Sequence, residues 1–205
     1  MATGISPNTQ ALNLKAGGVD VDEKGFVKTD KTMKTSNPKI YAAGDVVGRM
    51  PLVTVAAMEG AIAAENALGG GQARKVDYTM TPRAIFTHPN VASVGLTERE
   101  AGEKGVKVIS RTLEMRHVPK ARAIRDAKGL IKIVAEAETE RVIGIHILAP
   151  EAAEVIHQGV LIIRNGMTVK DVIEKIDVYP TLSEMVKLCA QSFYKDIKKL
   201  SCCAE

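Results

Sequence analysis

Apolar and polar positions alternate in two different rhythms along the chain, and the change of rhythm divides it. From residue 83 onward, short apolar runs recur every ten to twenty residues, separated by turn residues. The segment Gly129-Leu130-Ile131-Lys132-Ile133-Val134 alternates with the period of a strand. Similar runs predict strands at 83–87, 91–95, 106–113 and 141–148. An extended segment is predicted at 121–126. Helices punctuate this stretch. Thr97-Glu98-Arg99-Glu100 has the form of a capping box, in which the Thr97 hydroxyl caps a helix and Glu100 reaches back. A longer helix is predicted from Glu151 to Arg164, ended by a left-handed cap at Asn165-Gly166. Thr168 is placed to cap a short helix through Glu174, and Thr181 or Ser183 a last one reaching about Phe193. Strands joined by tight turns and flanked by helices define an α+β fold with an antiparallel sheet.

The first seventy residues have a different texture. A short hairpin is expected between residues 19–21 and 26–27, turning at Gly25. Thr35-Ser36-Asn37-Pro38 breaks structure, and Lys39-Ile40-Tyr41-Ala42-Ala43 reads as a buried strand closed by Gly44-Asp45. Residues 52–68 form an Ala-rich helix, with Pro51 near its start and glycines at 69–71 stopping it. Its small residues suit close packing against another backbone. The expected organisation is therefore residues 1–72 as the last part of one domain, 76–193 as a second domain, and 194–205 as a tail.

Composition narrows the class. The chain has 205 residues, 45% hydrophobic and 25% charged, which suits folded globular domains rather than disorder. The net charge of +4 is spread among acids, and aromatic residues make up 3% with no tryptophan, so neither a nucleic-acid track nor a base-stacking platform is expected. No apolar run reaches membrane-spanning length. The opening Met1-Ala2-Thr3-Gly4 reads as a turn and not as a secretory leader. Three cysteines, two of them adjacent, do not make a secreted disulfide framework, so a reducing cytoplasm is the expected compartment.

Three places could carry chemistry. Gly44-Asp45 puts a carboxylate just past an apolar segment and before a helix. It is either an ordinary turn or a site where Asp45 accepts hydrogen bonds from sugar-like hydroxyls while the N–H groups near Val53 face an electron-rich partner such as a flavin. The pair Cys202-Cys203 lies on a polar terminus. Two thiolates suit a soft metal such as mercury(II), or thiol exchange, whereas zinc normally takes four ligands. The alternative is an incidental or regulatory thiol pair. His88, His117, His146 and His157 show no ligand spacing with these cysteines. Third, Tyr179-Pro180 precedes a helix with Glu184 in its expected first turn. The plain reading is a helix start with a packed tyrosine, and the functional one a hydroxyl lent to a site. Cys189 sits among apolar helix residues and reads as buried and structural. Arg122, Arg125 and Asp126 read as solvated pairs.

Four stretches carry a resemblance: Ala2-Thr3-Gly4 with Pro7-Asn8-Thr9, residues 35–45, residues 87–98, and residues 177–205. On them the chain resembles the C-terminal portion of the pyridine nucleotide–disulfide oxidoreductase family. The ending Gln191-Ser192-Phe193-Tyr194 through Ser201-Cys202-Cys203-Ala204-Glu205 resembles the branch that reduces mercury(II). The resemblance implies FAD contact through Gly44, Asp45 and the helix from Val53, and a homodimer built by the domain from about residue 76. It implies NADPH as reductant and Hg(II) as substrate. Cys202 and Cys203 would collect Hg(II) for the partner's redox thiols, with Tyr179 at the metal site and Glu184 as a further catalytic residue. Dithiol-specific members carry His-Pro where this chain has Tyr179-Pro180. Ile5 stands where an arginine is common, which leaves that loop's contact open. Neither the Gly-x-Gly-x-x-Gly fingerprint nor a Cys-x-x-x-x-Cys motif is found, so the chain alone is expected to be inactive and to hold no cofactor stably. Two other readings remain: part of a general disulfide reductase such as a dihydrolipoamide dehydrogenase, or a non-catalytic dimer module that buffers metal.

Overall fold

The structure is a computed structural model that describes residues 4–69 and 71–196. It divides into two compact units, 1–78 and 79–205.

The first unit is made mostly of turns around one long helix. Three 3-10 turns, Gln10–Leu12, Leu14–Gly17 and Asp45–Val47, and two isolated bridges, Val21 to Val27 and Lys34 to Tyr41, hold the irregular part. The helix α1 runs from Val53 to Leu68, and Gly69 ends it. It buries Val55, Glu59, Ile62 and Ala63. Ile62 and Ala63 meet Met33 and Val76 in a small core, with Tyr41, Met58 and Tyr78 at its edge. Side-chain hydrogen bonds supplement this modest apolar contact. Asn66 donates to the Thr32 and Arg74 carbonyls at 2.9 and 2.8 Å and accepts from the Arg74 N–H at 2.9 Å.

One expectation is met here in reduced form, and one fails. The hairpin at 19–27 reduces to the single bridge between Val21 and Val27. The segment 39–43 is no buried strand. Tyr41 makes one bridge, Ala42 N–H donates to the Met33 carbonyl, and Ile40 is exposed. A strand needs a run of partner groups to satisfy its ladder, and the facing segment turns away at Asp30, whose carboxylate accepts the Thr32 N–H at 2.7 Å.

The second unit is a five-stranded antiparallel sheet in the order β1-β2-β5-β4-β3. The strands are β1 (Arg83–Ile85), β2 (Asn90–Gly95), β3 (Val108–Glu114), β4 (Leu130–Glu136) and β5 (Val142–Ala149). Helices α2 (Glu98–Glu103), α3 (Pro119–Ala123), α4 (Ala152–Arg164), α5 (Val169–Glu174) and α6 (Met185–Gln191) complete it. Alternation in β4 and β5 buries Ile131, Ile133, Ile145 and Ile147. α4 lies on β2 and β5, and α6 on β3 and β4. Gly159 is what lets α4 come so near the sheet: a Cβ there would stand 2.9 Å from Val94 Cγ1. This is the α+β, antiparallel-sheet architecture that the patterning predicts.

The local signals are met in part. Thr97 and Glu100 form the capping box, with the Glu100 carboxylate accepting the Thr97 N–H at 2.8 Å. Gly166 takes the left-handed conformation after α4, and Thr168 caps α5 with Asp171. The segment expected to be extended at 121–126 is instead the end of α3 and a turn. Pro119 sits at its first helical position, and Ala121 is small enough to be buried against the core. α6 begins later than expected. Its cap residue is Glu184, and neither the Thr181 nor the Ser183 side chain caps it. Asp126 pairs with His88 Nε2 at 3.1 Å and not with the neighbouring arginines.

Candidate functional site

In the first unit the expected residues sit around one turn. Gly44 adopts φ +81° and ψ −155°, a conformation L side chains rarely take, and a Cβ there would stand 3.2 Å from Ala56 Cβ. A glycine at this position therefore allows both the turn and the close approach to α1. The Val47 and Gly48 N–H groups close the turn on the Gly44 and Asp45 carbonyls at 2.9 and 3.0 Å. The Asp45 side chain is left exposed. α1 follows, entered through an extended Leu52 with no side-chain cap and no acidic residue in its first turn. Its leading N–H groups and positive dipole end thus favour an electron-rich acceptor. The Val53 side chain is 88% exposed, so what this residue can offer a ligand is backbone. An exposed carboxylate beside an uncapped helix start fits hydroxyls and a polar, electron-rich ring edge, which are the groups an FAD presents.

One residue here was missed by sequence reasoning. Glu59 is 1% exposed, and its carboxylate accepts from Gly44 N–H and from the Tyr78 hydroxyl, each at 2.6 Å. Burial, with the Glu59 hydrogen bond and charge, pushes the Tyr78 hydroxyl up to about 12, opposed by Arg49. The overlooked signal is spacing. Glu59 follows Val55 by four residues and precedes Ile62 by three, on the buried stripe of α1.

The second unit presents Tyr179 on a braced loop. Lys175 Nζ pairs with Asp177, at 2.5 Å to Oδ2, and Lys187 Nζ donates to the Lys175 carbonyl at 2.9 Å. The Thr181 hydroxyl donates to the Val178 carbonyl at 2.9 Å instead of capping α6. The Glu184 carboxylate accepts the Thr181 N–H at 3.0 Å, so it braces the loop from the helix side. Tyr179 is 51% exposed, and Ile176 and Val178 beside it are exposed as well. The loop therefore presents a half-exposed tyrosine beside apolar side chains.

Cys189 is buried, as its context predicts. Its Sγ donates to the Arg111 carbonyl at 3.5 Å, and burial pushes the thiol up to about 12. Tyr194 donates to Glu140 Oε2 at 2.5 Å, tying the residues after α6 to the β4–β5 turn. Cys202 and Cys203 lie outside the described residues. Among the described residues no group of three or more His, Cys, Asp or Glu side chains could hold a metal ion, and no helix is long and apolar enough to cross a membrane.

Comparison with known proteins agrees with this architecture. The model of the pyridine nucleotide-disulphide oxidoreductase dimerisation domain matches residues 81–190, and that of pyridine nucleotide-disulphide oxidoreductase matches residues 1–60. The chain belongs to the pyridine nucleotide-disulphide oxidoreductase family and matches the C-terminal part of its members. Within that family it is similar to the mercuric reductases of Acidithiobacillus ferrooxidans, 45% identical over 204 residues, and Lysinibacillus sphaericus, 46% identical over 204 residues. Both alignments take in 100% of this chain but 37% of the relative's length, so the chain spans little more than a third of these proteins. Among solved structures, LpdA from Mycobacterium tuberculosis superposes with a TM-score of 0.84 at 31% identity, covering 95% of this chain and 42% of that one. The HOCl-induced flavoprotein disulfide reductase RclA from Escherichia coli gives 0.84 at 28% identity, covering 95% and 44%.

Proposed function

We propose that this chain supplies the flavin-contact and dimerisation parts of a flavoprotein that reduces Hg(II) to Hg(0) with NADPH. The observation that carries the reading is the alignment of the whole chain, at 45% identity over 204 residues, with proteins named mercuric reductase. The net reaction consumes Hg(II) and NADPH and yields Hg(0), NADP⁺ and a proton, a two-electron balance.

FAD, when bound, relays the electrons between nicotinamide and metal. The chain's own residues do the holding. Asp45 would accept hydrogen bonds from hydroxyls of the ribityl chain, Gly44 lets its turn approach α1, and the N–H groups from Val53 onward would hold the electron-rich part of the flavin. The sheet unit builds a homodimer, whose two-fold symmetry brings two equivalent composite sites to one interface. Cys202 and Cys203 take Hg(II) from thiolate complexes and pass it to the partner's redox thiols, each donor replaced before the next leaves. Tyr179, held by its braced loop, lends its hydroxyl at the metal site, and Glu184 keeps the loop in place. The reading puts the protein in a reducing compartment such as the cytoplasm, where the tail pair stays thiol.

The test is mercury-dependent NADPH oxidation by the full-length, FAD-loaded protein, with Hg(0) collected from the gas phase. Activity that falls in a Cys202→Ala/Cys203→Ala variant supports the reading. NADPH oxidation driven by a disulfide substrate, with none by Hg(II), would replace it with a general disulfide reductase. The likeness to RclA, a flavoprotein disulfide reductase, favours that second reading.

A further inference from the structure

Gly44 must hold an unusual backbone conformation for Asp45 to stand beside the start of α1. Short turn bonds close the far side of that turn at Val47 and Gly48. On the near side its own N–H points inward to Glu59 Oε2 at 2.6 Å. Glu59 comes from the middle of α1, fifteen residues on. One side chain thus ties the turn to the helix whose N-terminus stands beside it. Its other oxygen accepts from Tyr78, at 2.6 Å.

Stability alone is a poor reason for this carboxylate. It is buried on α1 with Ile62, whose small core of Met33 and Val76 has Tyr78 packed on it, and Arg49 acts on the Tyr78 hydroxyl. Burying a carboxylate there costs free energy that its two donors only offset, and apolar side chains of similar volume often serve as well or better. An apolar residue could not hold the Gly44 N–H, which would become an orphaned donor. The Gly44 bond therefore sets Glu59 apart from an ordinary core residue.

We propose that Glu59 is a positioning residue for the flavin site, fixing the Gly44-Asp45 turn against α1 through the Gly44 N–H. The inference rests on the flavin reading given above and adds to it a residue that touches no ligand. The two hydrogen bonds have separate tasks. The Gly44 bond sets the turn, and the Tyr78 bond orients the carboxylate and satisfies its second oxygen.

The test titrates FAD onto the flavin-stripped full-length protein and records the visible circular dichroism of the bound flavin, with far-ultraviolet spectra to follow the fold. Glu59→Leu removes both bonds, and FAD binding weakens by about tenfold or more with an altered flavin signal. Glu59→Gln keeps a carbonyl oxygen for Gly44 N–H and stays within about threefold of the parent, with the parent's flavin signal. Tyr78→Phe leaves the Gly44 bond and also stays within about threefold. If leucine prevents folding, Glu59→Asp, one methylene too short to keep the Gly44 contact, must show the same loss and altered signal. An equal loss in Tyr78→Phe and Glu59→Leu overturns the inference, because packing at the pair would then explain both. Parent-like binding in Glu59→Leu overturns it too. Asp45→Ala separates the two failures: if it loses FAD while Glu59→Leu does not, only the positioning role falls. If Asp45→Ala also binds FAD like the parent, the flavin reading itself falls.

Discussion

The two units keep their order by different means. In the second, five antiparallel strands turn apolar faces toward α4 and α6, and the core includes Ile131, Ile133, Ile145, Val155, Ile156 and Cys189. In the first, the buried apolar cluster comprises Met33, Ile62, Ala63 and Val76. There the loops are locked by polar side chains. Asp22 accepts from two backbone N–H groups at 2.9 Å, Asp30 from Thr32, and Asn66 makes three bonds to neighbouring backbone. Burial is non-directional and spread over many contacts, whereas a polar lock is one or two bonds in one geometry. A sheet that, on the proposed function, presents a dimer surface would gain from the first arrangement. A loop that, on the proposed function, aims a carboxylate and a helix start would gain from the second.

The comparison can be broken from either side. The largest effect should come from the sheet core. Ile145→Ala leaves a cavity beneath Gly159 and should cost about 3 kcal/mol in urea unfolding of the second unit. Next is a polar lock of the first unit. Asn66→Ala removes three bonds and should cost about 2 kcal/mol, with faster hydrogen exchange at the Arg74 and Val76 amides. An Asn66→Ala effect near zero would mean that apolar contact holds the first unit as well.

A pH effect follows from Cys189. Its thiol is held up to about 12 when folded against an ordinary value of 9.0. The folded state therefore keeps a proton that the unfolded state releases. The stability this contributes is full below pH 9 and is lost as pH rises toward 12, by roughly 1 kcal/mol per pH unit. Urea unfolding at pH 8 and pH 10 measures it, and Cys189→Ala should flatten the difference. In the Cys202→Ala/Cys203→Ala background, the folded protein should also resist thiol alkylation until denatured. Thr97→Ala opens the capping box and should cost about 1 kcal/mol. The smallest effect belongs to the exposed pair of Arg99 and Glu103, 2.9 Å apart. Arg99→Ala should change stability by less than about 0.5 kcal/mol.

The second unit was the more legible in sequence, for the same reason that it is the better packed. Alternation at 129–134 and 141–148 carries a face-to-face burial pattern, and the caps at Thr97, Gly166 and Thr168 are local chemistry. The first unit rests on pairings of single residues, which periodicity does not reveal. Ile40-Tyr41-Ala42-Ala43 has the composition of a buried strand, yet it has one bridge to Lys34. In the second unit, Ala121 misled because a short helix under Pro119 has no room for a full apolar period. The site divides in the same way. Gly44-Asp45 announces itself as a turn before a helix. Glu59 does not, because a charged residue on a helix is ordinarily a solvated one. Only its place on the stripe of Val55 and Ile62 marks it.

The most direct test of the mercury reading is calorimetric titration of the reduced chain with Hg(II), beside the Cys202→Ala/Cys203→Ala variant. The account predicts tight uptake of about one equivalent per chain, as two thiolates per metal require, and its loss in the variant. Equal uptake by both proteins would contradict a tail clamp and move the weight to a general disulfide reductase.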